Sequence, residues 1–180
     1  MTTLQTIAQA ITQGGAVGVV GSPGTLITAV ESGYGAYRST RLTFGATASL
    51  PSVTSTLAVG KLVYTFPAGE IFVDSASMSL ALLGTANALN VPEVALGTTI
   101  GTGASATLAT TTENLILGAT VAGCAGQTYI KALIPTANVP FGILAAAVHT
   151  VYFNAACIWT GTEAATLISG FIVINWRFMS

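Results

Sequence analysis

Near its C-terminal end the chain alternates. In SGFIVINWRF, residues 169–178, Ile172, Ile174, Trp176 and Phe178 interleave with Phe171, Val173, Asn175 and Arg177, the two-residue period of a β-strand. Apolar residues stand on both sides of the alternation, so this strand is expected to be covered on both faces or to give one face to an interface. HTVYFNAACIW, residues 149–159, reads as a second strand. In KLVYTF-PAG-EIFVDSASMSLALLG, Leu62, Tyr64 and Phe66 alternate with Val63 and Thr65. Pro67-Ala68-Gly69 then suits a type I turn, and Ile71 and Val73 open a long return arm through Met78, Leu80 and Leu82, which together predict a β-hairpin. Shorter strands are predicted over 40–46, 94–100, 106–111 and 128–133, while 113–126 suits a helix or a strand. Many short strands, Gly- and Thr-rich connections and no central helix point to an all-β fold, a β-sandwich or jelly roll.

The first 35 residues follow another pattern. Leu4, Ile7 and Ile11 recur at helical spacing, predicting a short amphipathic helix over 3–13 that Gly14 and Gly15 stop. GGAVGVVGSPGTL is too glycine-rich to hold regular structure alone, yet Val17, Val19, Val20, Leu26, Ile27 and Val30 make it adhesive. The reading is an extended N-terminal arm, 1–35, lying on a neighbouring subunit, followed by a β-domain, 36–180. Tyr34, Tyr37, Arg38 and Arg41 stand at the junction, and Tyr and Arg are enriched at interfaces. An interface is therefore expected at Leu4, Ile7, Ile11, Val19, Val20, Leu26 and Ile27, with Tyr34, Tyr37, Arg38 and Arg41 anchoring it against a neighbour's acid.

Charge changes the picture most. Only 6% of the 180 residues are charged, five basic and six acidic, against roughly 25% in an ordinary soluble domain. Hydrophobic residues reach 52%, and mean hydropathy is +0.74. A monomer of this mass exposes on the order of 8,000 Å², so sparse charge must be offset by a covering partner or by short hydroxyl side chains. Lipid is the weaker cover, because no run approaches the roughly 18 apolar residues of a membrane helix. MTTLQTIAQAITQGG has neither the basic start nor the apolar stretch of an export signal. Abundant Ala, Thr, Ser and Gly favour close-packed protein neighbours, and hence a homo-oligomer.

Candidate chemistry is thin. His149 is the single histidine and shares a strand face with Val151 and Phe153, which suggests a hydrogen-bonded core or interface residue before a catalytic base. No Cys/His/carboxylate grouping supports a metal site. Glu70 and Asp74 are evenly spaced, but nothing accompanies them to orient a substrate. GTTIGTGAS, residues 97–105, lacks the GK[ST] ending of a phosphate loop, and G-x-S-x-G is absent. Five cations and a pI of about 5.6 cannot make a nucleic-acid footprint. Cys124 and Cys157 form no CxxC and read as small buried hydrophobes. No enzyme, cofactor or metal is expected.

LVYTFPAGEIFVDSASMSLAL, the Thr/Ala-rich GTGASATLATTTENLI and VYFNAACIWTGTEAATLISGFIVINW together resemble tailed-phage capsid decoration, or cement, proteins. The resemblance covers most of the chain after residue 40 and rests on the style and order of these segments; the arm lies outside it. It implies a β-sandwich or jelly-roll subunit, assembled in the host cytoplasm as an oligomer, often a trimer. Such a subunit sits on the outside of the head and clamps the major capsid protein. Other virion roles, a jelly-roll coat, fibre or tail component, belong to the same class. A carbohydrate-binding β-sandwich is the rival from another class, and Tyr34, Tyr37, Tyr129 or Trp159 exposed beside a carboxylate would favour it.

Overall fold

The computed structural model describes residues 16–17, 21–52, 57–84, 91–121, 125–133, 141–143, 149–159 and 166–179, of which 16–17, 125–133 and 141–143 are taken as backbone. The predicted helix over 3–13, and with it Leu4, Ile7, Ile11, Val19 and Val20, lies outside them. The strands in chain order are β1 Ala16–Val17, β2 Ser22–Pro23, β3 Ile27–Tyr34, β4 Tyr37–Phe44, β5 Ala58–Thr65 and β6 Ile71–Leu83. They continue with β7 Glu93–Gly97, β8 Ile116–Thr120, β9 Ala125–Leu133, β10 Phe141–Ile143, β11 Thr150–Ala156 and β12 Leu167–Phe178. The helical structure among the described residues is one 3₁₀ turn, Thr110–Thr112.

Two antiparallel sheets face each other. The first runs β1-β3-β4-β12-β6, with β9 and β10 sharing the far edge of β6; the second runs β2-β5-β11-β7-β8. Without the short flanking strands, the first sheet is β4-β12-β6-β9 and the second β5-β11-β7-β8. The steps β4→β5, β5→β6, β6→β7, β8→β9 and β11→β12 each cross between sheets. That is the winding of an eight-stranded jelly roll, two Greek keys folded over one core.

The alternation read from the sequence selects the inner faces. On β12, Ile168, Ile172, Ile174 and Trp176 are buried, and on β6, Ile71, Val73, Ala76, Met78, Leu80 and Leu82. The change of parity on β6 comes from a bulge: Trp176 pairs with Val73 and Asn175 with Ser75, so Asp74 is the extra residue. From the second sheet come Val59, Val63, Tyr64, Val94, Leu96, Val151, Phe153 and Ala155. Edge-to-face rings run through one end of this core from Tyr64 to Phe66, Trp176 and Phe178, with centroids 5.1–5.2 Å apart. Polar groups within it are matched: Trp176 Nε1 donates to Thr40 Oγ1 at 2.8 Å, and the Tyr64 hydroxyl donates to the buried Glu31 carboxylate. Burial, reinforced by that carboxylate, holds the Tyr64 phenol well above its ordinary pKa.

Several expectations need correction. KLVYTF and EIFVDSASMSLALL do form strands, but β5 lies in the second sheet and β6 in the first, so Pro67-Ala68-Gly69 bridges the sandwich and closes no hairpin. The bridge is held from both sides, since Phe66 N donates to His149 O and Met179 N to Glu70 O. Residues 27–34, assigned to the arm, form β3 and pair with β4 through eight residue pairs. Ile27 is accordingly in this domain's own core at 6% exposure, whereas Leu26 is 50% exposed. The predicted strand over 106–111 is loop and 3₁₀ turn, and 116–120 within the ambiguous segment is β8.

That long β7–β8 loop is pinned across the outer face of the second sheet at three points by Asn154. Asn154, fully buried on β11, accepts from Gly101 N at 2.8 Å and donates to Thr99 O at 3.0 Å and Thr112 O at 2.7 Å. Gly60 leaves the space, since a Cβ there would collide with Asn154 Oδ1. Leu108, whose N–H donates to Glu93 Oε2 at 2.8 Å, then caps a small cluster with Ala58, Ala95 and Ala156.

Candidate functional site

The outer face of the first sheet carries three cross-strand rows. The middle row is Ser32, Ser39, Asn175 and Ser75; one flank is Tyr34, Tyr37, Arg177 and Phe72; the other is Val30, Arg41, Val173 and Ser77. Directly opposed residues on one face are neighbours, so short polar side chains between two bulky rows leave a trough across β3, β4, β12 and β6. A concavity of about 300 Å³ opens there, lined among others by Ser32, Tyr34, Tyr37, Ser39, Asp74 and Asn175. Local chemistry sets its end: β3 and β4 join through Gly35-Ala36, and Gly35 at φ 58 takes the left-handed first position of a type II′ turn. The turn leaves Tyr34 and Tyr37 side by side, each 56% exposed.

Two of the three arginines, Arg41 and Arg177, present their side chains on this face. Arg177 lies over the Phe72 ring at 4.3 Å and the Tyr37 ring at 5.5 Å. Its Nη1 donates to the Tyr37 hydroxyl at 3.1 Å, and its Nη2 stands 3.6 Å from Asp74 Oδ1. Arg41 stacks on Phe171 at 3.7 Å, a geometry that stiffens a guanidinium without neutralising it. Arg38, opposite the buried Trp176 on the other side of β4, turns onto the hairpin, its Nη1 donating to Gly35 O at 2.7 Å and Tyr37 O at 3.0 Å. Among the described residues no carboxylate reaches Arg38 or Arg41, and the buried Nε atoms of Arg38 and Arg177 have no partner. Asn175 Nδ2 donates to Ser75 Oγ at 2.8 Å, while the hydroxyls of Ser32 and Ser39 are unpartnered among the described residues.

Of the residues singled out in the sequence, Tyr34, Tyr37 and Arg41 thus come together on one face, Arg38 stands on the other side of β4, and Ile27 goes to the core. Arg177, Phe72, Asn175, Phe171, Ser32 and Ser39 were missed, and Asp74 was weighed only as a partner of Glu70. The alternation on β12 already puts Phe171, Asn175 and Arg177 on one side; the missing knowledge was which strands lie next to it. Asp74 parts from Glu70, which stands exposed on the crossing between sheets. His149 sits half-buried just before β11, and its Nε2 finds no partner among the described residues. Trp159 is partly buried and donates to Leu57 O at 3.0 Å, so it offers no exposed ring; the Tyr129 side chain lies outside the description. Cys157 is a free, buried thiol whose pKa burial raises, and Cys124 lies outside the described residues. Among the described residues no group of three or more His, Cys, Asp or Glu is placed to hold a metal ion, and no helix is long and apolar enough to cross a membrane.

A second exposed region lies at the opposite end of the sandwich. There Ile158, just past β11, is 72% exposed, Val91 before β7 is 47% exposed, and Leu83 at the end of β6 is 49% exposed. Compared with protein-family models, curated proteins and solved structures, the chain matches none.

Proposed function

We propose that this chain is a virion structural protein: a capsid decoration subunit that works as a homo-oligomer, covering and clamping a lattice of major capsid protein on the outside of a phage head. The observation that carries the reading is the apolar end formed by Ile158, Val91 and Leu83, presented by a jelly roll with very few charges. Side chains of this size left in water cost about 1.5–3 kcal/mol each relative to burial, so a covering protein surface is the economical state. Jelly rolls recur among viral capsid proteins; fold alone assigns no role, and the surface adds the reason for assembly. A lattice subunit needs no reacting group, and many modest contacts hold it by avidity.

Light scattering on the purified full chain tests the assembly step. A discrete oligomer is expected, and Ile158→Asp should dissociate it by at least ~10-fold in dissociation constant while the circular dichroism stays β-rich. A wild-type monomer at millimolar concentration would sink the reading. Capsids assembled without the chain should bind it saturably, at a stoichiometry set by the capsid lattice; capsids that bind none would refute the decoration role.

A further inference from the structure

We propose that the trough on the outer face of the first sheet is a binding site for an acidic saccharide, a short run of pyranose rings bearing carboxylates. The inference goes beyond assembly and concerns the end of the molecule away from Ile158.

Three properties of the trough converge on that ligand. Its floor is Ser32, Ser39 and Asn175, groups that each donate and accept and so match a ligand covered in hydroxyls. The serine hydroxyls are unclaimed among the described residues, and the bulge on β6 brings the Asp74 carboxylate to the floor as a further acceptor. Tyr34 and Tyr37 form the wall: two exposed rings fixed as a cross-strand pair. Such rings offer a flat apolar face and a polar tip with little side-chain entropy to lose, which suits the C–H face of a pyranose.

Charge selects the acidic class. Two of the chain's five cations, Arg41 and Arg177, lie on this face, and Asp74 pairs with Arg177 alone. Arg41, on the flanking row beside the concavity, is held flat on Phe171 without a carboxylate among the described residues, and its fork is free to take one from a ligand that extends past the floor. A neutral sugar would leave that fork unused. An acidic peptide would satisfy the arginines but would make little use of a floor of short hydroxyls beneath paired tyrosines. A volume of about 300 Å³ stands at the small end of ligand sites and admits one or two rings.

The test titrates the full-length protein, in whatever oligomer it forms, with two acidic probes, tetragalacturonate and α2,3-sialyllactose. Their uncharged counterparts, the methyl ester of the first and lactose, serve beside a hexaglutamate peptide. At least one acidic sugar should bind saturably with a dissociation constant below about 1 mM. Its neutral counterpart and the peptide should bind at least ~5-fold more weakly, as should the acidic sugar to Tyr34→Ala and to Arg41→Gln. Both substitutions are at exposed positions, and unchanged circular dichroism confirms the fold. Silence of both acidic sugars overturns the proposal. So does equal binding of the neutral forms or of hexaglutamate, or undiminished binding by the two variants. Light scattering on the same samples reports assembly separately, so failure at the trough and failure of the assembly reading are distinguishable.

Discussion

Replacing Asn154 by Ala removes three hydrogen bonds at once, those to Gly101 N, Thr99 O and Thr112 O, from a side chain with no exposed surface. Each is worth about 0.5–1.5 kcal/mol net, and a buried group left unpaired costs more than the bond it loses. Thr99 and Thr112 lie in a loop that can turn its carbonyls toward water, whereas Gly101 N is buried, so the total should come to about 2–3 kcal/mol. Asn154→Leu, close in volume but apolar, should cost at least as much, which separates polar anchoring from packing. Asn154→Asp keeps the acceptor for Gly101 but points a carboxylate at two carbonyls. The folded state then raises that carboxyl's pKa, so the penalty is smallest below the ordinary Asp value of about 4 and grows as pH rises through the folded value. Urea denaturation gives the free-energy change, and hydrogen exchange at the Gly101 amide reports whether the loop has let go. A loss under about 0.5 kcal/mol with Gly101 still protected would refute the idea that one asparagine holds the β7–β8 loop down.

Tyr64→Phe keeps the ring against Phe66 but withdraws the hydroxyl from Glu31, and should cost about 1–2 kcal/mol at pH 7. Because the folded-state phenol pKa is raised, its contribution is full below the unfolded value near 10. It falls above that by up to about 1.4 kcal/mol per pH unit; urea melts between pH 8 and 11 should show this slope in the wild type and a shallower one in Tyr64→Phe. Trp176→Phe loses both the bond to Thr40 and part of an aromatic stack, and should destabilise by about 2–3 kcal/mol in equilibrium denaturation. A change below about 1 kcal/mol would mean the pocket around Trp176 collapses more readily than its packing suggests.

The strands were legible where the signal is local. Ile172, Ile174 and Trp176 announce their buried face by period alone, and so does the run from Met78 to Leu82. What local pattern could not supply is partnership. Pro67-Ala68-Gly69 looks alike whether it folds a strand back beside itself or carries it to the other sheet; the choice was made by β11 and β12, roughly a hundred residues away in sequence. Residues 106–111 carry strand-like composition, but their course is set by Glu93, which accepts from Leu108 N, and by Asn154, which holds Thr112 just beyond them. β3 was hidden by the glycine-rich stretch before it, although Ile27 and Glu31 sit at the even spacing that buries both. At the trough, interface-type composition picked out Tyr34, Tyr37 and Arg41, along with Arg38, which stands on the other side of β4. Phe72, Asp74, Asn175 and Arg177 became visible only with the register of β6 and β12 against β4, and Asp74 only through a bulge that no periodicity announces.

β12 lies between β4 and β6, at the middle of the first sheet, although it is made after all the other described strands. Until it arrives, β4 and β6 each present an unpaired, largely apolar edge, and the hydrophobic floor of the sandwich is missing its central plank. Completion of the first sheet therefore waits for β12, and the waiting chain is a template for its own copies. The hazard is a strong tendency to be covered by another chain, which the finished jelly roll confines to selected surfaces.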